Sequence, residues 1–228
     1  YLPIAVYCFY SLVSIFYQEI CPLWLVAPVG SGGLGWSASD VGVLQSTGGG
    51  FLAVSNFVFF PLLARRLAPS RLFWTSACVS ACCYSLTPHL ATVDASRRWP
   101  TLVALNAVVQ AAGSTCFTSL FLIINSSCEK EQRGAVNGMA MALSSAFKAA
   151  GPMVGSGLFA WSLTNGLASS LLDVHFTFYL ISTAALCTAL VGLSLERSKP
   201  VHSSTVEMRG RSASSAREDD AVTERSVV

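Results

Sequence analysis

Six apolar stretches, each close to 20 residues long, constrain this sequence more than any other feature. Roughly 20 apolar residues in a helix are enough to cross the hydrocarbon core of a bilayer. The segments between them carry Gly, Pro, Ser and charged residues, which are typical of loops. The sequence therefore predicts an all-α polytopic membrane protein whose transmembrane helices lie at 2–26, 40–63, 72–90, 99–124, 135–161 and 174–195.

The charged residues are unevenly distributed along the chain. Its 228 residues include 14 Lys and Arg and 12 Asp and Glu, and twelve of these charges lie at 196–228. Hydrophobic residues make up 53% of the sequence, and the charges before position 196 are too few to cover a water-soluble domain. We therefore predict a lipid-embedded membrane domain at 1–195 and a disordered, Ser-rich cytosolic tail at 196–228.

Lys and Arg in the loops predict how the helices are oriented, because cytosolic loops carry an excess of these residues. One end of the predicted bundle has only Arg97 and Arg98. The other end, which also holds the tail, has Arg65, Arg66, Arg71, Lys130 and Arg133. We therefore expect both termini to lie in the cytosol.

Two charged side chains fall inside predicted membrane helices. Lys148 lies about ten residues into the fifth helix, roughly 15 Å along its axis, and Glu19 lies in the first helix close to Pro22. A charge at the bilayer centre costs ~2.5–3.5 kcal/mol on insertion scales, so such residues face other helices or a water-filled cavity. We expect these two side chains to be neighbours on a substrate or proton pathway. A permanent structural ion pair is the alternative.

Five amide side chains also fall inside predicted helices: Gln18, Gln45, Asn56, Asn106 and Gln110. Gln45 lies in the second helix, and Asn106 and Gln110 lie four residues apart in the fourth. This spacing places Asn106 and Gln110 on one helix face. They either line a cavity or bridge neighbouring helices, where a hydrogen bond is worth ~0.6 kcal/mol on average. Both interpretations fit the residues.

Small residues recur at four-residue spacing on two helices. They are Gly42, Ser46 and Gly50 on the second helix and Gly151 and Gly155 on the fifth. In lipid, close backbone contact through small residues favours helix association. We predict that both sets are packing faces, and the glycine run at 48–50 could instead mark a flexible gate. Pro152 lacks a backbone donor for the carbonyl of Lys148, which suggests a kink in a moving helix.

Several classes of function lack the residues they need. The sequence has no phosphate-binding loop, no GxSxG and no HExxH motif, so we predict neither an enzyme nor a cofactor site. His89, His175 and His202 are scattered along the chain and the eight cysteines form no CxxC pair, so we predict no metal site. The net charge of +2 and the absence of a basic cluster interleaved with aromatics argue against nucleic-acid binding.

One long stretch resembles a known family. "CEKEQRGAVNGMAMALSSAFKAAGPMVGSGLFAW" is similar to the eleventh span of the major facilitator superfamily and the loop before it. The matching positions are Arg133, Gly134 and Gly138 at the helix entry and Gly151, Pro152 and Gly155 in the Gly-Pro-x-x-Gly turn. "FYQEICPLWLVAPVGSGGLGWSASDVGVLQSTGGG" resembles spans seven and eight of the zinc-induced-facilitator-like branch.

The resemblance implies a fold and a function. The family has twelve spans in two six-helix halves, each made of two inverted three-helix units, and this chain resembles the C-terminal half. It implies a proton-coupled or antiport-type carrier of a small molecule or ion that works by alternating access. Glu19 and Lys148 fall where that branch has an acidic residue and a lysine, and Arg133 and Gly134 belong to its gating loop. The other half, or a second copy, would then be a partner. The alternative is a non-transporting truncated protein or a scaffold that acts through its tail.

Overall fold

Six long helices form the part of the chain that the structure describes. The structure is a computed structural model, and it describes residues 1–164 and 174–197. The helices are α1 (Leu2–Val26), α2 (Ala38–Ala64), α3 (Pro69–Leu86), α4 (Ala95–Ser126), α5 (Arg133–Thr164) and α6 (Val174–Arg197). Each overlaps one of the six predicted spans, which confirms the polytopic all-α fold. The tail beyond residue 197 lies outside the described residues, so its disorder stays a prediction.

Hydropathy separates these helices into two groups. Within the described residues, α1, α2, α4 and α6 are long and apolar enough to cross a membrane. The sequence of α3 is rich in Ser, and that of α5 is rich in Gly, Ala and Ser. These small and polar residues lower the hydropathy of α3 and α5, and some of them are buried in the bundle, among them Ser76 and Ser80 of α3 and Gly151 and Gly155 of α5.

Proline and serine explain several helix boundaries. The helix α3 begins three residues before its predicted start because Pro69 has a φ that suits the first helical turn. It ends at Leu86, where a 3₁₀ turn, Thr87–Thr92, replaces the predicted last turn. At the start of α2, Ser37 and Asp40 form a capping box. The Asp40 N–H donates to Ser37 Oγ at 3.2 Å, and the Ser37 N–H donates to Asp40 Oδ2 at 3.1 Å.

The helix α2 is interrupted by a π-helical turn at Ser55–Phe59. Such turns insert one extra residue into a helix and are frequent at functional sites. Here the turn directs Ser55 into the bundle, where its hydroxyl lies 2.9 Å from the Ser114 hydroxyl of α4. Both side chains are buried. The turn therefore anchors the second half of α2 to α4.

The two three-helix units, α1–α3 and α4–α6, pack reciprocally. The first helix of each unit packs against the second helix of the other, so α1 contacts α5 and α4 contacts α2. Each third helix packs against the first helix of the other unit. The helix α3 packs on α4, and Phe178 of α6 meets Trp24 of α1 with ring centroids 5.7 Å apart. This reciprocity is expected of two repeats related by a two-fold axis.

Two glycines permit the close packing of α5 on α1. A Cβ added at Gly151 would lie 2.4 Å from Ile15 Cγ2, and one added at Gly155 would lie 3.5 Å from Phe16 Cδ1. About two helical turns before Gly151, the buried hydroxyls of Ser144 and Ser11 lie 3.1 Å apart. Small residues therefore let α1 and α5 pack closely along this stretch, as they do in membrane bundles.

The predicted packing face of α2 contacts no other helix among the described residues, so its role in packing stays a prediction. Gly42, Ser46 and Gly50 are exposed, and a Cβ added at Gly42 or Gly50 would meet no heavy atom within 4 Å among the described residues. The buried glycine is instead Gly48, where an added Cβ would lie 2.7 Å from Asn106 Nδ2. The physical reason is the rotation of α2 about its own axis, which the contact with α4 sets.

Candidate functional site

A polar cavity lies between α1, α2 and α4. Its volume is about 510 Å³. Its polar lining residues are Gln18 and Glu19 of α1, Gln45 of α2 and Asn106 and Gln110 of α4, together with Ser14 and Tyr17 of α1 and Tyr84 of α3. Gln18 and Gln45 are exposed, so the cavity is open on the side of α1 and α2. Concentrated polar groups in an otherwise apolar bundle favour a solute site.

Both amides of α4 line the cavity, and Asn106 also joins two helices. Asn106 Nδ2 donates to the Leu44 carbonyl of α2 at 3.0 Å, while both Asn106 and Gln110 lie in the cavity wall. Gly48 makes this arrangement possible, since an added Cβ would lie 2.7 Å from Asn106 Nδ2 and 3.0 Å from Gln110 Nε2. Asn106 therefore both lines the cavity and bridges two helices, whereas Gln110 is placed in the cavity wall.

Glu19 is the acidic member of the wall. It is partly buried on α1 and lies beside Gln18, whose Nε2 donates to Ser14 Oγ at 3.1 Å. Within the described residues, Glu19 forms no salt bridge with Lys148. The permanent ion pair that the sequence allowed is therefore not formed in this structure, and the carboxylate of Glu19 remains at the cavity surface.

Lys148 contacts an aromatic ring instead. Its Nζ lies 5.0 Å from the ring centroid of Phe117, a residue of the cavity wall on α4. A cation within about 6 Å of a ring centroid is attracted by the negative ring face. Lys148 thus reaches the margin of the cavity through Phe117. Sequence reasoning missed Phe117, although its spacing of 11 residues from Asn106 places it on the amide face of α4.

A pair of tyrosines forms another part of the wall that sequence reasoning missed. The rings of Tyr17 on α1 and Tyr84 on α3 stack with centroids 4.2 Å apart and planes 24° apart. The Tyr17 hydroxyl lies 3.1 Å from Thr87 Oγ1, which donates to the Cys83 carbonyl at 2.8 Å. Nothing in the apolar stretches distinguishes these tyrosines from lipid-facing ones. Only the packing of α1 on α3 identifies them.

The residues predicted to take part in gating or packing fall into three places. Arg133, Gly134 and Gly138 are exposed in the first turns of α5. Gly151 and Gly155 face α1, as described above, whereas Pro152 and Gly50 are exposed. Their roles in gating stay predictions. Asn137 Nδ2 donates to Asn125 Oδ1 at 2.7 Å, which ties the start of α5 to the end of α4.

The histidines are arranged differently from their spacing in the sequence. The rings of His89 and His175 lie with centroids 5.3 Å apart. Within residues 1–164 and 174–197, no three His, Cys, Asp or Glu side chains are grouped as a metal site. All eight cysteines are free thiols.

Comparison with known proteins agrees with this architecture. The family sequence model of the Major Facilitator Superfamily matches residues 4–223 of this chain. This chain belongs to the Major Facilitator Superfamily. The family, together with the four apolar helices, points to an integral, multi-pass membrane protein. No solved structure matches the chain.

Three relatives of this superfamily member come from Arabidopsis thaliana. Protein ZINC INDUCED FACILITATOR-LIKE 1 is 32% identical over 78% of this chain and 37% of its own length. A probable peptide/nitrate transporter is 32% identical over 70% of this chain and 33% of its own. Protein ZINC INDUCED FACILITATOR 1 is 30% identical over 84% of this chain and 39% of its own length. The chain thus spans between a third and two fifths of the length of these relatives, and the branch predicted from the sequence is confirmed.

Proposed function

We propose that this chain forms the C-terminal half of a secondary active transporter that moves a small solute by alternating access, coupled to protons. The observation that carries the proposal is the polar cavity of about 510 Å³ between α1, α2 and α4. In a lipid-embedded bundle, amide groups at a cavity surface offer donors and acceptors to a solute that has lost its water. The short coverage of the longer relatives supports the assignment to one half.

Proton coupling rests on Glu19. It is the one carboxylate among the described residues that line the cavity. A carboxyl group at such a surface can exchange a proton with water in the cavity, and intramembrane acids are frequent proton relays. Because Lys148 is held over Phe117 and not beside Glu19, the carboxylate is available to a proton or to a cationic group of the solute.

The second wall of the pathway comes from a partner. Gln18 and Gln45 line the cavity and are also exposed, so the described residues leave it open on that side. The partner is the other six-helix half or a second copy of this chain, which would cover the exposed face of α2. Both termini lie in the cytosol in this proposal, on the side with the excess of Lys and Arg.

The proposal is tested by reconstituting the full-length protein in vesicles and imposing a pH gradient with a panel of organic anions, cations and drugs. The expected result is that the pH gradient drives accumulation of one of these classes of solute inside the vesicles. Glu19→Gln abolishes the accumulation but leaves exchange of labelled for unlabelled solute across the membrane. Glu131→Gln, which removes an exposed loop carboxylate, is the matched control and behaves as the parent protein.

Two results contradict the proposal. Full accumulation by Glu19→Gln would reject the proton-carrying role of Glu19. Absence of both accumulation and exchange for every solute, with the protein correctly inserted, would favour the scaffold alternative, which requires no solute pathway.

A further inference from the structure

We propose that His89 and His175 bind a divalent transition-metal ion at the end of the bundle where α3 ends and α6 begins. The two imidazole rings come from different parts of the chain, the 3₁₀ turn Thr87–Thr92 and the first turn of α6. Their centroids lie 5.3 Å apart and their planes are inclined by 51°. Two nitrogen ligands at 2.0–2.1 Å from a tetrahedral ion are about 3.4 Å apart, and rings at this separation reach that spacing by small rotations.

Tyr179 orients the first of the two ligands. It lies one turn after His175 on α6, and its hydroxyl is 2.9 Å from His89 Nε2. Histidines that bind metals usually engage their second ring nitrogen in such a hydrogen bond, which fixes the tautomer and the ring orientation. With Nε2 of His89 held by Tyr179, Nδ1 is the nitrogen left for the ion.

The ligand chemistry selects the class of ion. Imidazole nitrogen suits Zn²⁺, Cu²⁺ and Ni²⁺, whereas Ca²⁺ and Mg²⁺ require several oxygen ligands. Two imidazoles leave two coordination positions for water or a solute group, so the site is an exchangeable one and not a closed structural site. His89 and Tyr179 are exposed and His175 is half-buried, so the site lies at the surface of the bundle.

The site is distinct from the solute cavity. Neither histidine belongs to the described residues that line the cavity. Yet the same 3₁₀ turn carries Thr87, whose hydroxyl lies 3.1 Å from the hydroxyl of Tyr17 in the cavity wall. An ion shared by His89 and His175 would therefore fasten this turn to α6, close to one wall of the cavity.

The test uses the purified full-length protein, with any polyhistidine tag removed, and titrates Zn²⁺ calorimetrically. The expected result is a saturable site that His89→Ala and His175→Ala each abolish. The third histidine of the chain provides a matched control, since His202→Ala leaves the affinity unchanged. Tyr179→Phe retains the site and weakens the affinity about tenfold, as loss of an orienting hydrogen bond does.

Two further measurements separate loss of a ligand from loss of the fold. His89→Cys supplies a thiolate in place of imidazole and retains Zn²⁺ binding, whereas His89→Asn does not. In the parent protein, the electron paramagnetic resonance spectrum of bound Cu²⁺ shows coupling to two imidazole nitrogens. Zn²⁺ binding that persists in the double variant His89→Ala/His175→Ala, or a Cu²⁺ spectrum without imidazole coupling, overturns the proposal. Neither result bears on transport through the cavity.

Discussion

The ammonium group of Lys148 lies 5.0 Å from the centre of the Phe117 ring, so the charged residue of α5 is joined to the cavity wall on α4 by a cation–π contact. Phe117 also packs edge-on against Tyr7 and Tyr10 of α1, with ring centroids 5.9 and 5.1 Å away. The ring of Phe117 on α4 thus contacts both α1 and the half-buried ammonium group of Lys148 on α5.

This contact predicts energetic coupling between Lys148 and Phe117. Lys148→Met keeps the length of the side chain and removes the charge, and Phe117→Leu removes the ring face. We expect the two changes to be non-additive by ~0.5–2 kcal/mol, the range of a cation–π contact. The measurement is a double-mutant cycle on the free energy of unfolding in detergent micelles. Strict additivity would show that the contact contributes nothing.

A second prediction concerns the glycine run of α2. Gly48→Ala places a Cβ within 2.7 Å of Asn106 Nδ2, so the amide must move and its hydrogen bond to the Leu44 carbonyl is lost. We expect a destabilisation of ~1–3 kcal/mol, which is the cost of overpacking or of an unsatisfied buried polar group. Thermal unfolding of the detergent-solubilised protein measures it.

Gly50→Ala is the matched control for Gly48→Ala. An added Cβ at Gly50 meets no heavy atom within 4 Å among the described residues, and alanine is the better helix former by ~0.5–1 kcal/mol. Gly50→Ala should therefore be neutral or stabilising. Equal destabilisation by both variants would mean that α2 is rotated differently about its axis.

The same glycine run shows what the sequence could and could not predict. The helical period alone placed Asn106 and Gln110 on one face of α4, and the predicted start of α2 at residue 40 lies two residues from its observed start at Ala38. The rotation of α2 is different, because small residues at 42, 46, 48, 49 and 50 offer several equivalent faces. Only the amides of α4 and the π turn at Ser55–Phe59 select Gly48.

The sequence predicted that the two charged side chains lie inside membrane helices, but it did not predict which residues they contact. Counting residues from the helix ends predicted that Glu19 and Lys148 lie within the membrane helices. Whether they meet depends on how far apart α1 and α5 hold them, and the structure places Lys148 over Phe117 instead. The approach of His89 to His175 likewise depends on the packing of α6 beside the end of α3, which no local pattern encodes.

A third prediction concerns the hydroxyl of Tyr17. Tyr17→Phe removes its hydrogen bond to Thr87 and retains the ring that stacks on Tyr84. Thr87 keeps its bond to the Cys83 carbonyl, so no donor is left unsatisfied, and we expect a loss of only ~0.5–1.5 kcal/mol. Tyr17→Leu also removes the stack and should cost more. Chemical denaturation in mixed micelles compares the two, and an equal loss would show that the stack contributes nothing.

The final prediction concerns the close approach of α5 to α1. Gly151→Ala would place a Cβ 2.4 Å from Ile15 Cγ2, and the narrow contact between the helices must widen or Ile15 must change rotamer. We expect a destabilisation of ~1–3 kcal/mol. Gly157→Ala, on the same helix but with open space around the added Cβ among the described residues, should be neutral or slightly stabilising.

A compensating substitution makes this last prediction specific. Ile15→Ala removes the atoms that the new Cβ would meet, so the double variant Gly151→Ala/Ile15→Ala should be more stable than the sum of the two single effects allows, by ~0.5–3 kcal/mol. The thermal unfolding midpoints of the four proteins measure this coupling. If Ile15→Ala does not relieve the effect of Gly151→Ala, the clash lies elsewhere and α1 and α5 do not approach each other through Gly151.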